Sequence, residues 1–169
     1  ALEKNPRLRF LLVGSGELEA ELIRQVNRSD HKNRFAFAGE IPHREMADAM
    51  GAADILLLPS VSEGSPLALL EGMASGKAIV ASPTGSLPDR IGDGETGLLT
   101  DEIPPLTPEE DRGRADRFVS DLADKINYLS ENPEIRRQLG ENARREAENS
   151  SGWNTYLSIL TAIYDSVIK

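Results

Sequence analysis

The sequence predicts an α/β fold: a Rossmann-like open parallel sheet with helices on both faces, followed by C-terminal helices. Three observations predict it. Short apolar runs alternate with helical stretches through residue 100. The runs are continuously apolar rather than alternating, as strands covered on both faces require. Most of them stop at a glycine- or proline-bearing turn, the position at which a parallel strand hands over to its crossover helix.

Residues 8–13 (LRFLLV) are the first strand, stopped by Gly14-Ser15-Gly16. Residues 17–26 read as a helix with Leu18, Leu22 and Val26 on one stripe. Residues 35–38 form a second strand closed by Gly39, and residues 44–50 a short helix. Residues 54–58 form the third strand, residues 66–75 a helix, and residues 78–81 the fourth strand. Residues 88–91 are a brief helical turn and 97–100 a last short strand. The crossovers between such strands are right-handed.

Residues 101–117 hold three prolines and many charges and read as a surface loop. Three helices follow. Their stripes are Phe118, Leu122, Ile126 and Leu129; then Ile135, Leu139, Ala143 and Ala147; then Trp153, Tyr156, Leu157, Leu160, Tyr164 and Val167. Pro133 suits a first helical turn with Asn132 as its cap.

At 169 residues, 39% apolar and 28% charged, the chain can bury one real core. It has no cysteine, so disulfides and thiolate metal sites are excluded, and its two histidines are too few for a histidine-rich metal centre. A net charge of −9 argues against non-specific nucleic-acid binding and against an anionic membrane face. It leaves room for a phosphate-bearing small ligand, which backbone amides at helix starts can hold. No run reaches membrane-spanning length, and no signal or transit segment is recognised. A chain opening on Ala1 rather than Met is expected to be a piece of a longer protein.

The candidate binding residues sit at the predicted carboxyl ends of strands, the edge where open α/β sheets bind ligands. Glu63 lies in a loop beyond the third strand and is suited to sugar hydroxyls, or is a loop surface charge. Glu71, eight residues on, falls in an otherwise apolar helix. There it can clamp a cis-diol such as a ribose, or simply face water. Ser65 is the expected N-cap with Pro66 in the first turn, so that the amides of Leu67 and Ala68 face an anion; a plain capped helix is the alternative. Gly14 and Gly16 let a ligand pass close to the backbone. The corner from Gly39 to Ile41 offers backbone groups to a base edge. Gly85, among short side chains, suits a phosphate or sugar contact. Each is also an ordinary turn composition. Gly14-Ser15-Gly16-Glu17 lacks the third glycine of a dinucleotide fingerprint and the lysine of a P-loop, which sets both readings aside. His43 reads as a surface residue at a helix start.

Taken in order, Leu12-Val13-Gly14-Ser15-Gly16-Glu17, Phe37-Ala38-Gly39-Glu40-Ile41-Pro42, Ala53 through Ser60, Glu63 through Gly76, Ala78 through Ala81, Gly85 through Asp89 and Gly92 through Leu99 resemble one family. So does the tail from Asn132-Pro133 through Ala147 to Trp153. The chain is similar to the C-terminal, donor-binding domain of GT-B-fold glycosyltransferases, above all the retaining family 4, also called glycosyl transferases group 1. The family's Glu-x7-Glu pattern falls on Glu63 and Glu71.

By that resemblance, residues 1–169 are a nucleotide-sugar donor-binding domain. Glu63, the catalytic candidate, contacts the donor sugar and Glu71 the nucleotide ribose. The backbone of Ser65, Pro66, Leu67 and Ala68 faces sugar and diphosphate, and Ile41 flanks the base. The donor substrate is a UDP-, GDP- or ADP-sugar, with no tightly bound cofactor and no metal. A glycan or lipid acceptor is bound by an N-terminal domain that this chain lacks. The resemblance further implies a cytoplasmic enzyme, peripheral at the membrane face in its full-length form.

The chain departs from the pattern at Ser65, where an aromatic is usual, and at Asp89, where a glutamate is usual. It also lacks the family's first strand and the Arg/Lys pair that grips the diphosphate, so the isolated chain is expected to be inactive. A same-fold UDP-sugar epimerase or sugar synthase, and a non-catalytic α/β scaffold, are the alternatives.

Overall fold

The computed structural model describes residues 1–107 and 111–150. Within them run β1 (Phe10–Val13), α1 (Glu19–Arg28), a 3-10 turn (Lys32–Arg34), β2 (Phe35–Gly39), α2 (His43–Ala52) and β3 (Ile55–Leu58). They are followed by α3 (Leu67–Ala74), β4 (Ala78–Ala81), α4 (Leu87–Arg90), β5 (Leu98–Leu99), α5 (Arg112–Glu131) and α6 (Pro133–Ser150). The predicted last helix, on the Trp153 to Val167 stripe, lies outside the described residues.

Every strand pair is parallel, as continuous apolar runs joined by helical crossovers demand. The strands form two pieces, β1-β2 and β3-β4-β5, rather than one continuous ladder. A cavity lined by Arg7, Leu8, Asp54 and Ile55 separates the approach to β1 from the start of β3, and the corner between α5 and α6 closes it.

The core is built on β4, whose four residues are all buried. Successive side chains of a strand point to opposite faces. Ile79 and Ala81 join Leu58, Leu69, Met73, Leu87, Ala143 and Ala147 on the side of α3. Ala78 and Val80 join Leu129 and Leu139 on the other side, with Leu57, Leu98 and Leu122 packed against them. Two glycines permit this closeness. A Cβ on Gly72 would lie 2.3 Å from Leu56 Cδ2, and one on Gly140 would lie 2.1 Å from the Gly76 carbonyl.

Several expectations are corrected. Helix α5 starts at Arg112, inside the stretch read as loop. Asp111 caps it by accepting from the Arg114 amide at 2.9 Å. The Arg114 side chain then ties the proline segment down, donating to the Ile103 carbonyl at 2.8 Å. Prolines and charges hid the start because the cap follows them directly. Pro66, not Ser65, holds the N-cap of α3, since its ψ of 124° is extended and its carbonyl accepts the first helical bond from Leu69. Asn132 caps α6 only through its carbonyl, which accepts from the Arg136 amide; its side chain donates back to Tyr128. The stripe drawn for α1 is rotated: Leu18 is 71% exposed as its N-cap, Leu22 is exposed, and Ile23 and Val26 are the half-buried positions. The other two described stripes, on α5 and α6, face the core as expected.

Candidate functional site

Four turns at the carboxyl ends of strands are linked in two pairs. After β1, Gly14 turns the chain at a φ of 121°, and its amide donates to the Gly39 carbonyl at 2.7 Å. This bond joins the turn after β1 to the turn after β2. Gly16, with open space around it, accepts the Glu19 amide at the entry to α1. After β2, Gly39 at a φ of 63° sends the chain through half-buried Ile41 and exposed Pro42 into α2.

The turns after β3 and β4 are bound together more tightly. The Ser82 amide donates to the Leu58 carbonyl at 3.1 Å, and its hydroxyl to the Ser60 carbonyl. The Thr84 hydroxyl donates to the Val61 carbonyl at 2.9 Å. Both Ser82 and Thr84 are buried, so these bonds replace water for groups that need a partner. The Ser60 hydroxyl then donates to Glu63 Oε1 at 2.6 Å, a charge-assisted bond that fixes the half-buried carboxylate.

Gly85 closes the arrangement. At a φ of 55°, a Cβ there would sit 1.7 Å from the Glu63 carbonyl oxygen. Gly85, assigned to a ligand on sequence grounds, also lets two backbones touch beneath Glu63.

Helix α3 contributes the rest. Its side-chain surroundings are apolar because Leu69 and Met73 face the core, so Glu71, in the same helix, projects from the flank. Among the described residues no side chain caps α3. The amides of Leu67 and Ala68, ahead of the first helical bond, stay outside the intrahelical ladder with the positive end of the helix behind them.

Helix α2 packs against α3, and this brings His43 Nδ1 to 3.1 Å from Glu71 Oε1. His43 is the residue that sequence reasoning missed. It does lie at a helix start and is 84% exposed, yet it faces the candidate ribose carboxylate, whose side chain is 24% exposed. Nothing in the local pattern of an exposed polar residue announces a partner 28 positions away; the available signal was Pro42, which fixes the direction in which the helix leaves.

Gly14 and Ile41 are therefore tied to Glu71 through the β2–α2 turn, and Glu63 to Gly85 through touching backbones. Ser65 and Pro66 span the short link between the two glutamates. The site is a rim of backbone amides and two carboxylates, chemistry suited to a hydroxyl-rich anion.

Comparison with known proteins bears on the family and the fold. The model of the glycosyl transferases group 1 family matches residues 1–132. The MMP alpha-(1->4)-mannosyltransferase of Mycolicibacterium hassiacum is 34% identical over 125 residues, covering 73% of this chain and 27% of that protein. Among solved structures, the C-terminal domain of the glycosyl transferase group 1 family protein LpcC from Francisella tularensis superposes with a TM-score of 0.72 at 25% identity, covering 90% of this chain and 74% of that one. Anabaena HepE in complex with UDP-glucose gives a TM-score of 0.72 at 25% identity, covering 96% of this chain and 41% of that one. The fold is that of the C-terminal domain of GT-B glycosyltransferases, and the chain belongs to the glycosyl transferases group 1 family. It spans between 27% and 40% of the length of the first curated relatives it matches.

Proposed function

We propose that this chain is the donor-binding domain of a retaining glycosyltransferase, which moves a sugar from a nucleoside diphosphate to an acceptor held by another domain. Glu71 accepts hydrogen bonds from the ribose diol. Glu63 meets the hydroxyls of the donor sugar. The free amides of Leu67 and Ala68, with the backbone of Ser65 and Pro66, face the diphosphate, where helix-end dipoles offset the charge of the leaving group. Ile41 lies along the base, and Gly14 and Gly16 leave room for the ligand. The same reading carries a cytoplasmic enzyme, peripheral to the membrane where its acceptor is a lipid.

The observation that carries the proposal is the convergence just described: the Glu63 turn is pinned from β4 while the β2–α2 turn is docked on Glu71. Such pinning fits a preorganised site better than two unrelated surface charges. It also favours an enzyme's donor site over a scaffold, which has no need to hold the Glu63 carboxylate in place.

Calorimetric titration of the chain with UDP, GDP and ADP tests it. One of the three binds, and Glu71→Ala weakens that binding about tenfold or more, the cost of hydrogen bonds to a charged group. Equal affinity of wild type and variant, or no binding of any of the three, contradicts the proposal.

A further inference from the structure

We propose that His43 is a positioning residue of the donor site: its imidazole holds the Glu71 carboxylate in the rotamer that presents its second oxygen to the ribose. The inference deepens the donor-binding reading and rests on it.

The geometry begins in the backbone. Gly39, in the left-handed region, reverses the chain leaving β2, and Pro42 enters α2 at φ −59° and ψ 142°. His43 is thereby the first helical residue of α2, and packing of α2 on α3 sets its ring beside the carboxylate at 3.1 Å. The ring nitrogen and the carboxylate oxygen are in close polar contact. One oxygen of Glu71 is then engaged and the other is left for a ligand.

Stability does not explain the pair. Its imidazole is largely in water, and exposed ion pairs contribute little to folding. Preorganisation does. A free glutamate side chain must be immobilised when a diol binds, and each such immobilisation weakens binding. A histidine already holding one oxygen removes that loss beforehand. The placement also makes the β2–α2 turn act twice, since Ile41 and His43 flank Pro42: one side chain is assigned to the base and the other steadies the residue assigned to the sugar ring.

The test uses the whole 169-residue chain, with UDP, GDP and ADP as probes and wild type, His43→Ala, His43→Gln, Glu71→Ala and His43→Ala/Glu71→Ala as proteins. Loss of His43 should weaken nucleotide binding about threefold to tenfold. His43→Gln, which keeps a donor, should recover part of the loss. In the Glu71→Ala background, removing His43 should cost nothing further. In the ligand-free chain, the imidazole 15N shifts should differ between wild type and Glu71→Ala.

Weaker binding by Glu71→Ala with none by His43→Ala overturns the positioning role and spares the donor site. So does an equal loss from His43→Ala in both backgrounds. If no nucleotide binds, or if Glu71→Ala binds as wild type does, the donor reading falls and this inference falls with it. All variants are at exposed or half-exposed side chains, and thermal melts verify that each is folded.

Discussion

Gly85 shows how one residue sets the position of another that it never touches through a side chain. Its positive φ is a conformation that L-residues enter at a cost, and the space beside it is already filled by the Glu63 backbone. Gly85→Ala must therefore either strain its own turn or push the Glu63 loop away from β4. We expect a loss of stability of at least about 1–3 kcal/mol together with weaker nucleotide binding, read from urea unfolding and titration of the same preparations. An alanine variant as stable as wild type would mean that the contact is not a constraint. The Ser60 hydroxyl acts on the same carboxylate from the other side at 2.6 Å, so the loop and its glutamate are held as one unit.

At the scale of elements, the two halves of the sheet differ in how well they are covered. β4 is buried on both faces, whereas β1 leaves Leu11 46% exposed and Val13 exposed, and no residue of α1 is buried. Local stability follows buried apolar contact. Amide hydrogen exchange should therefore be faster in β1 and β2 than in β3 and β4, under conditions where the whole chain stays folded. Uniform protection across both sheets would contradict this account of the packing.

The same contrast explains what the sequence could tell. Apolar runs such as residues 55–58 and 78–81 are legible because burial on both faces writes itself into composition. The stripes of α5 and α6 are legible because they meet a core. The stripe on α1 was misdrawn because that helix buries nothing fully, so several rotations serve equally well. The start of α5 was hidden because its cap, Asp111, directly follows the proline segment, whose Ile103 and Pro104 carbonyls accept from the Arg114 side chain. In the site, Glu63 and Glu71 stand out by spacing and family pattern. The His43 contact and the backbone contact at Gly85 join distant turns, which no local pattern records.

For the molecule as a whole, the first residues are tied to α5, more than a hundred positions further along the chain. Lys4 donates to Asp124 at 2.8 Å, and the Asn5 amide donates to the Ser130 hydroxyl at 2.9 Å. The hydrogen bond and charge of Lys4 hold the Asp124 carboxyl below its ordinary value, and Asp124 in turn raises the Lys4 ammonium above its own. A lowered carboxyl contributes stability above its unfolded value and loses it as pH falls through the folded one. A raised ammonium contributes below its unfolded value and loses it as pH rises through the folded one. Asp124→Asn should thus be less stable than wild type at neutral pH, by a small amount because both groups are exposed. The difference should vanish once the pH drops below the lowered carboxyl value. A gap in urea midpoints that persists in acid would show that the pair is not its source.

The central claim is that the carboxyl edge of the sheet binds the nucleotide, and amide chemical-shift mapping with the tightest-binding nucleoside diphosphate tests it most directly. The account predicts shifts at Gly14, Ile41, Leu67, Ala68 and Gly85, with Glu63 and Glu71 among them. Residues at the other ends of the strands, Leu8, Asp54 and Arg136 around the cavity between β1 and β3, should stay still. Shifts confined to that cavity, or to the outer faces of α5 and α6, would contradict it.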